Sequence, residues 1–201
     1  MNEKLKEGIV NAVNSLEGWT SAERGLEMAE LILENRPKTV VELGVFGGRS
    51  LIPQAMAIRH SNHGGKIYGV DPWKVESALE AENEANRDWW KSIDLEKVRR
   101  GAINAIWSHM LDPWVVIIQS QSQYAAELWN HIDILNIDGN HSEVASCRDV
   151  ELYLPKVPAG GFIWMDDCDW PSTATALKIL DRECERIKDG GKYRLYQKNG
   201  V

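Results

Sequence analysis

Three aspartates sit where short apolar runs stop. Asp138 closes "IDILNID", and Asp166 and Asp167 close "GGFIWMDD", with Asp166 28 residues after Asp138. One helix, two loops and one strand fill that interval, so the two runs can be neighbouring strands. Neighbouring strands lie about 4.8 Å apart, which brings the carboxylates within reach of one another. Ionised carboxylates that close repel unless a proton or a cation stands among them. An all-oxygen donor set suits Mg²⁺, Mn²⁺ or Ca²⁺ rather than zinc, and Mg²⁺ is the expected ion at Asp138, Asp166 and Asp167. It would bind a substrate oxygen and lower the pKa of its hydroxyl. His141, three residues after Asp138, is the candidate catalytic base, because imidazole exchanges protons near neutral pH. The plainer use of these side chains is helix capping on an exposed loop.

A second group surrounds the first glycine turn, "VELGVFGGRS". Gly44, Gly47 and Gly48 allow a tight turn and a close ligand. Phe46 stands where a dinucleotide GxGxxG turn has its second glycine, and Glu42 would repel a phosphate. Asp71 ends "KIYGVD", 23 residues after Gly48, and an acid there typically accepts hydrogen bonds from a ribose diol. A ligand with a ribose, a cationic end and no phosphate fits both features, and S-adenosylmethionine (SAM) is such a ligand. Either feature alone is an ordinary βα turn or helix cap; the pair at this spacing favours the ligand.

These residues need a scaffold that brings strand ends together. The first 36 residues read as two helices, the second opened by a capping box at Thr20 and Glu23 and stopped at Pro37. Strands follow at "TVVEL", "KIYGVD", "WVVII", "IDILNID", "GGFIWMDD" and "KYRLYQK". Helices alternate with them, the last expected over "STATALKILDRECERI". The pattern predicts an α/β fold with a doubly wound, mostly parallel sheet of six or seven strands and helices on both faces. In such sheets ligands bind outside the carboxyl ends of the strands.

At 201 residues with 43% hydrophobic and 26% charged positions, the chain reads as a single domain, 1–201. A net charge of -7 argues against nucleic acid or an anionic membrane as partner. "MNEKLKEGIV" lacks an apolar signal region and no run approaches a membrane span. Cys147, Cys168 and Cys184 form no CxxC pair and read as reduced thiols of a cytoplasmic protein. Five of the nine tryptophans (Trp73, Trp89, Trp90, Trp107, Trp114) fall in or beside an insertion at 72–113. The insertion reads as two helices forming a lid, with Trp73, Trp89 and Trp90 walling an acceptor pocket; burial against the sheet is the commoner use of such rings.

"VELGVFGGRS", "IYGVDPW" and the long segment from "IDILNID" to "MDD" resemble the signature segments of class I SAM-dependent methyltransferases, whose fold is Rossmann-like. More narrowly, they resemble the macrocin-type O-methyltransferases related to catechol O-methyltransferase, a metal-dependent group. The resemblance covers roughly Val40 to Asp169 without the insertion. It implies that Glu42, Gly44 and Ser50 hold the methionine end of SAM, that Asp71 takes the ribose, and that Gln121 and Ser122 edge the adenine. Asp138 and Gly139 complete the candidate cofactor set, Gly139 by permitting a close approach. Close relatives often carry an acid base at the position of Asn140, which cannot serve as one, while the catechol enzymes place a lysine at the position of His141.

The expected function is therefore a divalent-metal-dependent SAM O-methyltransferase acting on a hydroxyl of a small molecule, a sugar or a polyphenol. The rivals are a non-catalytic SAM- or nucleoside-binding module and an NAD-linked oxidoreductase. Methyltransferases of this class end in an antiparallel hairpin, for which only "KYRLYQKNGV" remains. A six-stranded sheet, or an edge completed by a second copy in a homodimer, is the expectation.

Overall fold

The computed structural model describes residues 1–80 and 84–200. Helix α1 (Glu3–Ser15) is capped by Asn2, whose side chain accepts from the Leu5 amide at 2.9 Å. Helix α2 (Ala22–Asn35) follows. Its cap is Ser21, accepting from the Arg24 amide at 3.2 Å, one residue after the expected Thr20; Thr20 is instead buried. Strand β1 (Thr39–Leu43), helix α3 (Leu51–Ser61) and strand β2 (Lys66–Val70) make the first βαβ unit.

The insertion contains a short helix α4 (Val75–Ala78), α5 (Glu84–Ser92) and α6 (Leu95–Ser108); its residues 81–83 lie outside the described residues. Then come β3 (Val115–Ile118), α7 (Ser122–Ala125), β4 (Ile134–Ile137), α8 (Glu143–Tyr153), β5 (Phe162–Met165), α9 (Ala174–Glu183), β6 (Cys184–Asp189) and β7 (Arg194–Lys198).

The seven strands form one sheet in the order β3-β2-β1-β4-β5-β7-β6. Strands β1 to β5 run parallel, whereas β7 is antiparallel to β5 and β6 to β7. Because successive residues of a strand face opposite sides, two cores result. Val40, Ile67 and Ile134 share a layer with Ile9, Ile32 and Ile52 of the helices α1 to α3. Val41, Leu135 and Ile163 face the other layer with Tyr153 and Leu180. Helix α3 lacks a polar face because the sheet covers one side and α1 and α2 the other.

Two expectations need correction. Helix α6 packs Leu95, Val98 and Ile106 into the first core layer, so the second half of the insertion is scaffold rather than lid. The C-terminal hairpin is complete. The last helix stops at Glu183, and Cys184–Asp189 forms β6, paired with β7 from Cys184↔Lys198 to Asp189↔Arg194. Its residues past Cys184 are exposed and mostly charged, a composition that protects a sheet edge from further pairing. The charges that read as a helix surface are edge protection, and residues 190–193 after them make the hairpin connection, with Gly191 at φ 78. The sheet therefore closes within one chain. Among the described residues no helix is long and apolar enough to cross a membrane.

Candidate active site

The chain reverses its winding between β1 and β4, where crossovers leave in opposite directions. The carboxyl ends of the parallel strands open there onto a cavity of about 580 Å³, the size of a cofactor site. The glycine turn, Asp71, Gln121, Asp138 and His141 all line it, so residues far apart in sequence converge as expected.

The turn after β1 is set by its neighbours. Gly44 has φ +87, and a side chain there would put its Cβ 1.9 Å from the Asp138 carbonyl oxygen. The missing side chain thus lets β4 end close against the turn. Asp71 accepts from the Val45 and Phe46 amides at 2.9 Å through Oδ2, and from the Trp73 amide at 2.7 Å through Oδ1. Phe46 and Trp73 hold left-handed backbones, φ 47 and 44, a strain these hydrogen bonds offset. Burial pushes the Asp71 carboxyl above its ordinary pKa, against the three amides. Asp71 thus shapes the turn as well as facing the cavity.

Glu42 is placed differently from the expectation. It is fully buried beneath the turn and does not line the cavity. Its carboxylate accepts from Ser50 Oγ at 2.9 Å, Gln54 Nε2 at 2.7 Å and Asn136 Nδ2 at 2.9 Å. Burial raises its pKa to about 7. Ser50 reaches the cavity wall, oriented by Glu42.

At the far end, Gln121 donates to Ser77 Oγ at 2.8 Å and Ser122 to Asp149 Oδ1 at 2.5 Å. Asp149 is buried on the cavity wall, and burial raises its carboxyl to about 6. Gly139 lies beside it, an added Cβ meeting Asp149 Oδ2 at 3.4 Å. Asn140 donates to the Ser77 and Glu80 carbonyls at 3.0 Å each and accepts from the Ser142 amide at 2.8 Å. It therefore pins the start of the insertion over this end of the cavity.

The three acids do gather. Asp166 receives Arg24 Nη1 on Oδ1 at 2.8 Å, and Nη2 on Oδ2. Asp167 Oδ2 lies 2.9 Å from His141 Nε2, and Asp138 Oδ1 3.9 Å from the same nitrogen. Burial and the neighbouring Asp166 carboxylate push Asp138 well above the carboxylate range. Burial acts on Asp167 in the same direction and is the largest single influence, but the His141 hydrogen bond together with the charges of His141, Arg24 and Lys192 holds that pKa low. Asp167 itself has a left-handed backbone, φ 48.

The expected divalent ion does not fit this arrangement. Both oxygens of Asp166 are held by a guanidinium, and Asp167 is engaged by an imidazole. Among the described residues no group of three His, Cys, Asp or Glu side chains is arranged to hold a metal.

Aromatic rings form the rim. Trp19 lies 4.9 Å from Phe46 and 5.4 Å from Trp89, and Trp89 lies 4.8 Å from Trp90, centroid to centroid. Trp73 is buried, its Nε1 donating to the Phe46 carbonyl at 3.0 Å, and supports the rim from below. Arg24, Asp149 and Trp19 are site residues that the sequence reading misses. Asp149 and Trp19 carry no motif, and Arg24 becomes visible only when α2 is packed beside β5.

A family model described as a methyltransferase domain matches residues 41–168. No curated protein matches the sequence. Among solved structures, the chain superposes on the O-methyltransferase TomG from Streptomyces achromogenes, solved with SAM, at TM-score 0.67 and 14% identity, covering 100% of this chain and 92% of that one. The O-methyltransferase NovP gives TM-score 0.68 at 19% identity, with 89% and 79% covered. An O-methyltransferase from Bacillus cereus in complex with SAH gives 0.64 at 16%, with 98% and 92% covered. At these identities the structures show a shared fold, while the family model spans the turn after β1 through the acids after β5. The chain belongs to the methyltransferase domain family, as a class I SAM-dependent methyltransferase.

Proposed function

We propose that this chain is an O-methyltransferase that moves the methyl of SAM to a hydroxyl of a ring-bearing small molecule, a polyphenol or a sugar. The observation that carries the reading is the His141–Asp167 pair at 2.9 Å, set in a cavity that also holds the glycine turn and Asp71. SAM would supply an electrophilic methyl group. Asp71 has a lone pair left on Oδ1 for a ribose hydroxyl, Gln121, Ser122 and Asp149 offer polar groups to an adenine edge, and Asp138 and Gly44 lie where the methionine end would go.

The chain's own groups then handle the acceptor. Asp167 accepts from His141 Nε2–H, which leaves Nδ1 as the basic nitrogen. Nδ1 takes the hydroxyl proton as the oxygen attacks, and releases it to solvent after the methyl ether has formed. The tryptophan and phenylalanine rim suits a flat phenol, which stacks, or the C–H face of a sugar. The divalent ion has no step in this reading, because Arg24 already occupies Asp166.

The test is SAH production from SAM across a panel of phenols and hydroxylated sugars. His141→Ala is expected to lower turnover by about 10²- to 10⁴-fold, with SAH affinity changed less than about twofold. Unchanged turnover in that variant would exclude His141 as base, and a thermal shift with NAD but not SAH would exclude the SAM reading.

A further inference from the structure

Asp138, Asp166 and Asp167 crowd the carboxyl ends of the neighbouring strands β4 and β5, and the resemblance to metal-dependent enzymes puts a divalent ion there. The structure puts a side chain there. Arg24 makes a two-pronged contact with Asp166, Nη1 to Oδ1 at 2.8 Å and Nη2 to Oδ2. Such fork-on-carboxylate pairs fix direction as well as charge.

Arg24 is also held from behind. Its guanidinium lies 5.0 Å from the ring centre of Tyr193 and 5.7 Å from that of Trp164, and these rings stack on each other at 4.8 Å. Tyr193 in turn donates from its hydroxyl to Glu27 Oε2 at 2.5 Å, one turn along α2 from Arg24. The arginine side chain is 12% exposed, yet Arg24 still lines the cavity. Magnesium needs carboxylate oxygens about 2.0–2.1 Å away in near-octahedral array. An ion that close to Asp166 would stand in the space of the guanidinium, and the two cations would repel at close range.

We propose that Arg24 fills the place of the divalent cation, so that this methyltransferase works without a metal. Arg24 is a positioning residue. It fixes Asp166 and supplies the permanent positive charge that balances the carboxylates gathered around His141. A preset charge of this kind needs no reorganisation at the moment of transfer. The inference rests on the proposed methyl transfer only for its activity measurement; the metal-binding measurement stands apart from it.

Wild-type protein treated with EDTA and desalted is titrated with Mn²⁺, and free Mn²⁺ is followed by its electron paramagnetic resonance. The expected result is no stoichiometric binding to wild type and at least about tenfold tighter binding to Arg24→Ala, whose acids have lost their cation. Methyl transfer by the EDTA-treated wild type is expected to stay within about twofold of the untreated enzyme. Arg24→Ala is expected to lose about 100-fold in turnover with SAH affinity within about threefold, and Arg24→Lys to recover part of it (losses of the size seen for electrostatic groups in active sites). Stoichiometric Mn²⁺ binding by wild type, or chelator-sensitive activity restored by Mg²⁺, would overturn the proposal. So would a folded Arg24→Ala that binds Mn²⁺ no better than wild type. If Arg24→Ala does not fold, the wild-type titration decides alone.

Discussion

Glu42 is the acid whose position departs furthest from what its motif suggests, and its environment can be read through pH. With burial raising its folded pKa to about 7, from 4.5 when exposed, the folded protein holds a proton that the unfolded chain has released between those values. Stability must then fall as pH rises through that window and level off above it. A shift of this size corresponds to roughly 3 kcal/mol. Asp149, raised to about 6, adds a smaller trend of the same sign. Glu42→Gln keeps the shape and removes the titration. Its stability between pH 5 and pH 8, measured by urea unfolding, is expected to fall less than wild type's by roughly that amount; parallel curves would mean that Glu42 is ionised in the fold throughout. The glycine turn and the strand-ending acids were legible in the sequence because each is a short local pattern. The downward orientation of Glu42 was not, since it depends on Ser50, Gln54 and Asn136 converging on it.

At the scale of elements, Asn140 ties the backbone of α4 to the loop after β4, beside the Gln121 contact to Ser77 Oγ. Asn140 donates to two carbonyls at the end of α4 and just beyond it, which aspartate cannot do. Asn140→Asp keeps the shape, loses the donors and sets a negative charge against those carbonyls. Leaving such groups unsatisfied costs about 1–3 kcal/mol. The expected outcome is SAH affinity weakened about tenfold or more, with faster amide exchange over Val75–Ala78 and little change in the exchange of β1 and β4. Uniformly faster exchange would mean that Asn140 supports the whole domain instead. Strands such as β1, β2, β4 and β5 were legible because parallel strands covered on both faces leave short, nearly continuous apolar runs in the sequence. Strand β6 was not, because an exposed charged edge strand has the same residue types as a solvent-facing helix surface.

On the scale of the whole molecule, one ligand should bridge the ends of four strands and the N-terminal helices. A ligand that binds only the folded state adds about 2.7 kcal/mol of stability at 100 times its dissociation constant. For a domain of this length that is an increase in Tm of about 5–10 °C. Differential scanning fluorimetry with SAH is expected to show it, and NAD at the same concentration is expected to give no shift. An equal shift with NAD would speak for a general nucleoside pocket. The pair Arg24–Asp166 spans 142 positions of the chain. As the protein emerges from the ribosome, Arg24 is made well before its counter-charge, and Tyr193, which backs the guanidinium, later still. A chain that stops at the end of β6 can have both N-terminal helices, the glycine turn and all three acids, and still lack Tyr193, one of the two rings that seat the arginine. The arginine's seat is thus complete only once the chain from Arg24 to Tyr193 has been made, so the C-terminal hairpin supports the candidate site as well as the sheet.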